Sequence, residues 1–295
     1  MKSIFITGSS GFVGKNVLQY FKSNFEFIKF SRDQEPIINQ DIVLHLAGKA
    51  HDLKNTNNPE EYYDVNTDLT KKIFDLFLNS NAKVFIILSS VKAVADHINE
   101  ILTENYVPNP KTHYGKSKLL AEQYILSKEI PDNKRVYILR PCMIYGPGNK
   151  GNLNLLYSFA KKSITWPLGS FSNQRSFCSI DNLCFVIKQL LENTNIPSGI
   201  YNVADDDTIS TNEIIKIISE CNSKKVYILK IPKSIINLIT RVGDIIKFPL
   251  NTERLNKLTE TYIVSNQKLK KYLKQPLPTK IEHGLKEALT SFNKH

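Results

Sequence analysis

The chain's 295 residues predict an α/β fold: a doubly wound parallel sheet followed by a smaller carboxy-terminal α/β lobe. Three observations carry that expectation. Short, continuously apolar runs alternate with segments of helical period through the first half. The first run passes directly into a glycine-bearing turn that opens a helix. Beyond Pro147-Gly148 the alternation loosens, as happens where a second unit begins.

Residues 3–7, 25–30, 42–47, 84–89 and 136–140 are short apolar runs, the pattern of parallel strands covered on both faces. Residues 14–23 place Val17, Leu18 and Phe21 on one helical face, and residues 58–79 do so with Leu69, Ile73, Leu76 and Phe77. A third helix is expected over 114–127. Strands alternating with helices make βαβ units and a doubly wound sheet. In the later part, Ser210-Thr211-Asn212-Glu213 has the form of a capping box opening a helix through Ile218. Residues 226–231 read as a strand, Ser265 as the cap of a helix through Leu273, and 177–191 as a strand end plus helix returned to the first sheet.

Hydrophobic content of 41% and charged content of 23% fit a packed globular chain. No apolar run approaches the roughly 20 residues of a membrane span. The apolar stretch at the amino terminus is too short for a signal peptide, so a cytoplasmic location is expected. Cys142, Cys178, Cys184 and Cys221 have no C-x-x-C pairing and no nearby His at metal-ligand spacing, so reduced, mostly buried thiols and no metal are expected. The net charge of +11 comes with six Arg among 39 basic residues, and Lys is spread along the whole chain. Nucleic-acid binders concentrate such charge on one stripe. An anionic small molecule, or loose attraction to an acidic membrane surface, fits better.

Gly8-Ser9-Ser10-Gly11-Phe12-Val13-Gly14 follows the first strand and opens the first helix. Glycines let a backbone turn tightly and approach a pyrophosphate, while the helix amino terminus offers free N–H groups and a positive dipole end. In this strand–turn–helix setting the spacing predicts a dinucleotide site of Rossmann type. Residues 1–149 are then the dinucleotide-binding domain, with 177–192 returning to it, and 150–295 the substrate-binding lobe. The end of the second strand reads the adenosine ribose: a carboxylate takes the 2′-hydroxyl of NAD, an arginine the 2′-phosphate of NADP. Here the strand ends in Ser31-Arg32-Asp33, and ungapped counting from Gly8 puts Arg32 in place of the acid. Arg32 favours NADP(H); Asp33 as ribose ligand would instead mean NAD(H).

Tyr114 and Lys118 put a phenol and an ammonium on one helix face. The same spacing recurs at Tyr124/Lys128 and Tyr157/Lys161, so spacing alone selects nothing. Position selects the first pair, at a helix start after Pro108 and Pro110 and well beyond Ser90 at the end of a buried strand. The Lys118 ammonium and a positive nicotinamide are expected to lower the Tyr114 pKa from about 10. Ser90 would hydrogen-bond the reacting oxygen while Tyr114 passes a proton.

Thr7-Gly8-x-x-Gly11-Phe12-x-Gly14, His45-Leu46-Ala47-Gly48, Asn66, Leu88-Ser89-Ser90, Tyr114-Gly115-Lys116-Ser117-Lys118, Leu139-Arg140-Pro141 and Tyr145-Gly146-Pro147-Gly148 follow one another in that order. Over essentially the whole chain this resembles the extended short-chain dehydrogenases/reductases, in their nucleotide-sugar epimerase/dehydratase branch. Ser89-Ser90-Val91-Lys92 and Pro147-Gly148-Asn149-Lys150-Gly151-Asn152 are similar to bacterial polysaccharide-pathway 4-epimerases and 4-keto-sugar reductases. The resemblance implies a catalytic set of Ser90, Tyr114, Lys118 and Asn66, the last supporting the backbone of the site. It implies a cofactor bed of Gly8, Ser10, Gly11, Phe12, Val13, Gly14, Ser31, Arg32, Leu46, Ala47, Gly48, Tyr114, Lys118, Pro141 and Met143, the last two against the nicotinamide. It implies a UDP-sugar met by Asn152, Thr165 and Arg175, and a homodimer. Lys92 either reaches a substrate hydroxyl or phosphate, or faces solvent.

Three positions depart from the family pattern. Only eight residues separate Arg32 from Asp41, so the usual third strand and helix are nearly absent; Leu69 replaces a glycine; and His113 stands where proline commonly precedes the tyrosine. Val91 and Lys92 after Ser90 supply no carboxylate, which removes the acid/base pair a 4,6-dehydratase needs. The expected function is NADPH-dependent reduction at C4 of a UDP-4-keto-6-deoxy sugar in surface-polysaccharide precursor synthesis. The alternatives are an NAD-dependent UDP-hexose or UDP-N-acetylhexosamine 4-epimerase and a catalytically silent NADPH-binding sensor, against which the intact Ser90, Tyr114 and Lys118 argue. Residues 232–248, apolar among lysines, form a segment suited to packing on its own protein or a second subunit, or to lying on a bilayer.

Overall fold

The computed structural model describes residues 2–50, 58–149, 153, 156–157, 165–223, 225–246 and 251–292. Along the described chain run β1 (Ser3–Thr7), α1 (Phe12–Tyr20), β2 (Glu26–Lys29), β3 (Ile42–His45), α2 (Glu60–Tyr63), α3 (Leu69–Leu78), β4 (Val84–Leu88), α4 (His113–Leu126), β5 (Arg135–Pro141), β6 (Met143–Tyr145), β7 (Arg175–Ser179), α5 (Ile180–Glu192), β8 (Gly199–Val203), β9 (Thr208–Ile209), α6 (Thr211–Cys221), α7 (Lys233–Ile246), α8 (Thr252–Thr259), α9 (Gln267–Lys270) and α10 (Ile281–Ser291).

Six strands form one sheet in the order β2-β1-β3-β4-β5-β8, every neighbouring pair parallel. Helices cover both faces, so the inner strands are largely buried: all of β3 is buried, while edge strand β2 exposes Glu26 and Lys29. Charged residues on such an edge discourage pairing with another chain. A third family strand would lie against β2; residues 33–40 instead run as a turn and loop that buries Pro36 and Ile38. From β1 the chain goes to β2 on one side and to β3 on the other. At such a switch point the crossovers diverge and leave a crevice beyond the strand ends, here beside the paired Thr7 and His45.

Between α2 and α3 lies a π-helical turn, Asp64–Asp68, which turns Asn66 fully inward. Turns of this kind are frequent at functional sites. The second sheet is β6-β7-β9, packed with a separate core that includes Trp166, Leu168, Ile214, Ile218 and Leu285.

Several elements differ from expectation. Of the segment expected to return to the first sheet, α5 does pack there, with Leu183, Val186 and Leu190 in the first core. Its strand β7 belongs to the second sheet instead. Residues 226–231 make only isolated bridges, Trp166 with Ile228 and Leu168 with Lys230. Pro167 stands between those partners without an N–H, so no continuous ladder forms. The helix expected to reach Leu273 stops at Lys270, and the Tyr272 carbonyl is taken by the Asn193 side chain at 3.2 Å. Helix α1 starts and ends earlier than its apolar face suggests, and beyond it the Phe21 carbonyl accepts from the Asn24 N–H at 2.9 Å in a tighter turn. The capping box at Ser210 forms in full. All four cysteines are free and three are buried.

Candidate active site

The turn after β1 holds Gly8 at φ 71°, where a side chain is strained. A Cβ there would stand 2.6 Å from the Ala47 nitrogen, so this turn packs directly on the segment following β3. The Gly8 carbonyl accepts from the Gly11 N–H at 3.1 Å, and α1 begins with Gly11 as its cap. No side chain satisfies the first-turn N–H groups, and that turn holds no acidic residue. Ser10 and Gly11 are exposed, Phe12 and Val13 half-buried, and Gly14 is buried. An uncapped helix terminus beside open backbone fits the pyrophosphate of a dinucleotide. Leu46 is buried, Ala47 half-buried and Gly48 exposed on the facing segment. Ser31 and Arg32 are exposed beyond β2, where the Ser31 hydroxyl accepts from the Asp33 N–H at 3.3 Å. Pro141, buried, and Met143, half-buried, follow β5 at the same carboxyl edge of the sheet.

The start of α4 is fixed from two sides. The Thr112 hydroxyl caps it, accepting from the Gly115 N–H at 3.2 Å. Asp96 accepts from the Lys111 N–H at 2.6 Å, the Thr112 N–H at 3.2 Å and the Thr112 hydroxyl at 2.9 Å. Burial raises the Asp96 carboxyl, but these bonds outweigh it and leave the pKa below its ordinary value. The helix so held presents Tyr114 and, one turn on, Lys118.

Ser90 caps a short turn over Val91–Ala93, accepting from the Lys92 N–H at 3.1 Å. Burial pushes the Tyr114 phenol above 10, and the neighbouring Ser90 side chain draws it part of the way back. The direction is opposite to the expected lowering. Lys118, expected to cause it, donates instead to the Leu88 carbonyl at 2.9 Å. Burial pushes Lys118 itself down to about 8, with Glu122 opposing the shift. Gly48 leaves room for this ammonium, since a Cβ there would stand 2.9 Å from Nζ. The Asn66 Nδ2 donates to Ser117 Oγ at 2.9 Å and to the Lys49 carbonyl at 3.0 Å. Ser117 in turn donates to the Tyr114 carbonyl at 2.9 Å, so Asn66 braces the backbone of the helix that carries Tyr114 and Lys118.

Two buried networks escaped the sequence reading. Thr70 donates its one hydroxyl proton to the Asn66 carbonyl at 2.8 Å, so it accepts from His45 Nε2 at 2.9 Å. His45 Nδ1 then accepts from Thr7 Oγ1 at 2.8 Å, and Thr7 Oγ1 accepts from the Ala47 N–H at 3.1 Å. This chain links the cofactor turn to Asn66, and burial pushes His45 down to about 3, keeping it neutral. Below the site, Glu122 pairs with Arg140 (Nη2 to Oε2, 2.5 Å) and accepts from Ser89 Oγ at 2.5 Å. All three groups are buried.

Of the expected substrate residues, two come together. Lys92 Nζ donates to the Asp96 carbonyl at 2.6 Å and lies 4.1 Å from the centre of the Tyr262 ring. Tyr262 is bridged through its backbone to Arg175, whose Nη1 donates to the Lys257 carbonyl at 2.8 Å. Burial lowers the pKa of both cations, and Glu260, which the sequence reading passed over, opposes the shift in each. Thr165 is half-buried beside Trp166, whose N–H donates to the Tyr227 carbonyl at 2.8 Å. Asn152 lies outside the described residues.

A sequence model of the family described as NAD dependent epimerase/dehydratase matches residues 4–204. A UDP-glucose 4-epimerase of Vibrio cholerae is 27% identical over an alignment covering 99% of this chain and 95% of that one. An N-acetyl-alpha-D-glucosaminyl-diphospho-ditrans,octacis-undecaprenol 4-epimerase of Escherichia coli O157:H7 is also 27% identical, over 92% of this chain and 85% of its own. Among solved structures, RMD from Pseudomonas aeruginosa complexed with NADPH has a TM-score of 0.76 at 19% identity, covering 100% of both chains. That likeness is one of fold.

Proposed function

The chain belongs to the NAD dependent epimerase/dehydratase family, an enzyme family, and from that premise we propose that it is an NADPH-dependent reductase acting at C4 of a UDP-linked 4-keto-6-deoxy sugar. Arg32 carries the choice of reductase. It stands exposed past the end of β2, where a fork of N–H donors suits a 2′-phosphate. The loop that replaces the third strand leaves the adenine side with little to grip a permanently held dinucleotide, which suits a cofactor exchanged at every turnover.

When bound, the nicotinamide supplies the hydride that C4 takes up. Ser90 holds the C4 oxygen by its hydroxyl. Tyr114 gives its phenolic proton to that oxygen as the C4=O double bond becomes a C4–OH, and burial, by keeping the phenol neutral, readies it to donate. Lys118, charged below about pH 8, stabilises the phenolate left behind. Lys92, in the turn after Ser90, and Arg175, from the second lobe, meet the substrate's diphosphate.

A second reading, a 4-epimerase, is favoured by two relatives aligned over more than nine-tenths of the chain, both of which carry that name. The same Ser90, Tyr114 and Lys118 serve it, with the cofactor retained. Purification without added cofactor, followed by an absorbance spectrum and by assays with NADPH or NADH and the keto-sugar, separates the readings. A cofactor-free protein that oxidises NADPH in preference to NADH supports the reductase. Bound NAD surviving purification, with UDP-sugar interconversion and no net NADPH oxidation, overturns it in favour of the epimerase.

A further inference from the structure

The helix α7 (Lys233–Ile246) carries two apolar stripes and uses one of them inside the molecule. Ile236, Thr240 and Gly243 are buried. Ile235 at 48% exposure, Leu238 at 64%, Ile239 at 42%, Val242 at 47% and Ile245 at 81% face outward. At 100° per residue these five fall within a single arc of roughly 120° that adjoins the buried stripe. Lys233, Ser234, Asn237, Arg241 and Asp244 occupy the remaining, polar arc. The helix therefore lies along the surface with a continuous apolar flank open to solvent. The segment leading into it exposes Tyr227 at 68% and Leu229 at 50%. Scattered apolar residues are ordinary on a protein surface, whereas a contiguous set on one helix face marks an interaction site.

We propose that this face seats the protein on an anionic lipid surface. Charge identifies the occupant. Between residues 225 and 245 the chain carries Lys225, Lys230, Lys233 and Arg241 against one acid, Asp244, and Asp244 is occupied by the Thr252 N–H at 3.0 Å and hydroxyl at 2.6 Å. All four cations are exposed. Exposed cations bordering an apolar helix face match the headgroup and acyl layers of an acidic bilayer, and the net charge of +11 acts in the same direction. A second copy of the chain fits less well. It would bring the same cations against themselves, and five side chains on a helix roughly 20 Å long offer less than the roughly 800 Å² per partner of a stable dimer. Among the described residues no helix is long and apolar enough to cross a membrane, so the association is peripheral and reversible.

The segment leading into α7 pairs by isolated bridges with residues 166–169 of the second lobe. The Trp166 N–H donates to the Tyr227 carbonyl at 2.8 Å, and the Leu229 and Gly169 N–H groups close the same pairing at 2.9 and 3.0 Å. A lipid surface at α7 therefore meets the lobe expected to hold the substrate.

The test is sedimentation of the full chain with phosphatidylglycerol-containing vesicles and with pure phosphatidylcholine vesicles, for the natural sequence and for a Leu238→Gln/Ile245→Gln variant. Neither residue belongs to the catalytic or binding machinery, and circular dichroism establishes that the variant is folded. The proposal expects sedimentation with the anionic vesicles only, falling at least tenfold in the variant and weakening at high salt, with turnover of a soluble nucleotide-sugar unchanged. Protein left in the supernatant with anionic vesicles overturns it. So does a dimer in solution that the variant converts to monomer, because the face is then a subunit contact.

Discussion

Tyr114 and Lys118 sit one turn apart on α4 and are shifted in opposite directions by the same cause. Burial penalises whichever form is charged, so the phenol is pushed up and the ammonium down, the latter to about 8. Both effects leave the pair as neutral phenol and ammonium at neutral pH, the state a proton donor needs. Turnover that depends on the ammonium falls as pH rises through about 8, and a Lys118→Arg variant that keeps activity should move this limb upward. A pH–rate profile for the two proteins checks it; identical alkaline limbs would remove Lys118 from the mechanism. Tyr114→Phe should lower the rate by roughly 10²–10⁴ with cofactor affinity close to unchanged, measured by turnover and by cofactor titration. The placement of Tyr114 and Lys118 near the start of a helix was legible in the sequence, from the proline-bearing loop that precedes it. The direction of the Tyr114 shift was not legible, since it depends on what covers the phenol and on where the Lys118 chain turns.

Strand ends and helices are tied together beneath the site by groups that spacing rules do not reveal. Glu122 on α4 holds Arg140 on β5 and Ser89 after β4, so one carboxylate fixes three elements that carry catalytic or cofactor residues. Glu122→Gln would leave the Arg140 charge buried without its partner, at a cost of about 3–5 kcal/mol. Denaturant unfolding reads this directly, and a loss below about 1 kcal/mol would show the pair to be dispensable. His45 joins β3 to Thr7 and Thr70 while neutral. Its pKa is about 6.5 in an unfolded chain and about 3 in the folded one, so the unfolded state binds the extra proton first. Stability contributed by this site is therefore complete above about pH 6.5 and is lost progressively as pH falls toward 3. Replacing His45 by Asn should flatten the stability–pH curve between 6 and 4, whatever it does to stability at pH 7. The inner strands were readable as apolar runs because parallel strands are buried on both faces. Strand β8 was missed because Asn202 interrupts its apolar run, and its burial rests on bonds to Glu104 and Leu102 across the fold. Residues 226–231 misled in the other direction, since a β-rich composition does not supply a ladder partner when Pro167 faces it.

Across the whole molecule, one sheet edge supplies the dinucleotide crevice, Ser90 and Tyr114, and a second lobe brings Arg175 and Tyr262 to the Lys92 that follows Ser90. The truncated region after Arg32 was legible in a simple count of residues. The assembly of the Lys92–Tyr262–Arg175 cluster was not, because its members stand far apart in sequence and meet only through the backbone bridge of Arg175 with Tyr262 and the packing of Tyr262 on the Lys92 turn. The claim that most depends on this joint architecture is hydride delivery to C4 from exchangeable NADPH. Incubating the protein with a UDP-4-keto-6-deoxy sugar and NADPH deuterated at nicotinamide C4, then locating the label by NMR, tests it most directly. The predicted result is one deuterium on sugar C4 for each NADPH oxidised. A product carrying only protium at C4, or sugar interconversion with the label left on the NADPH, would contradict it.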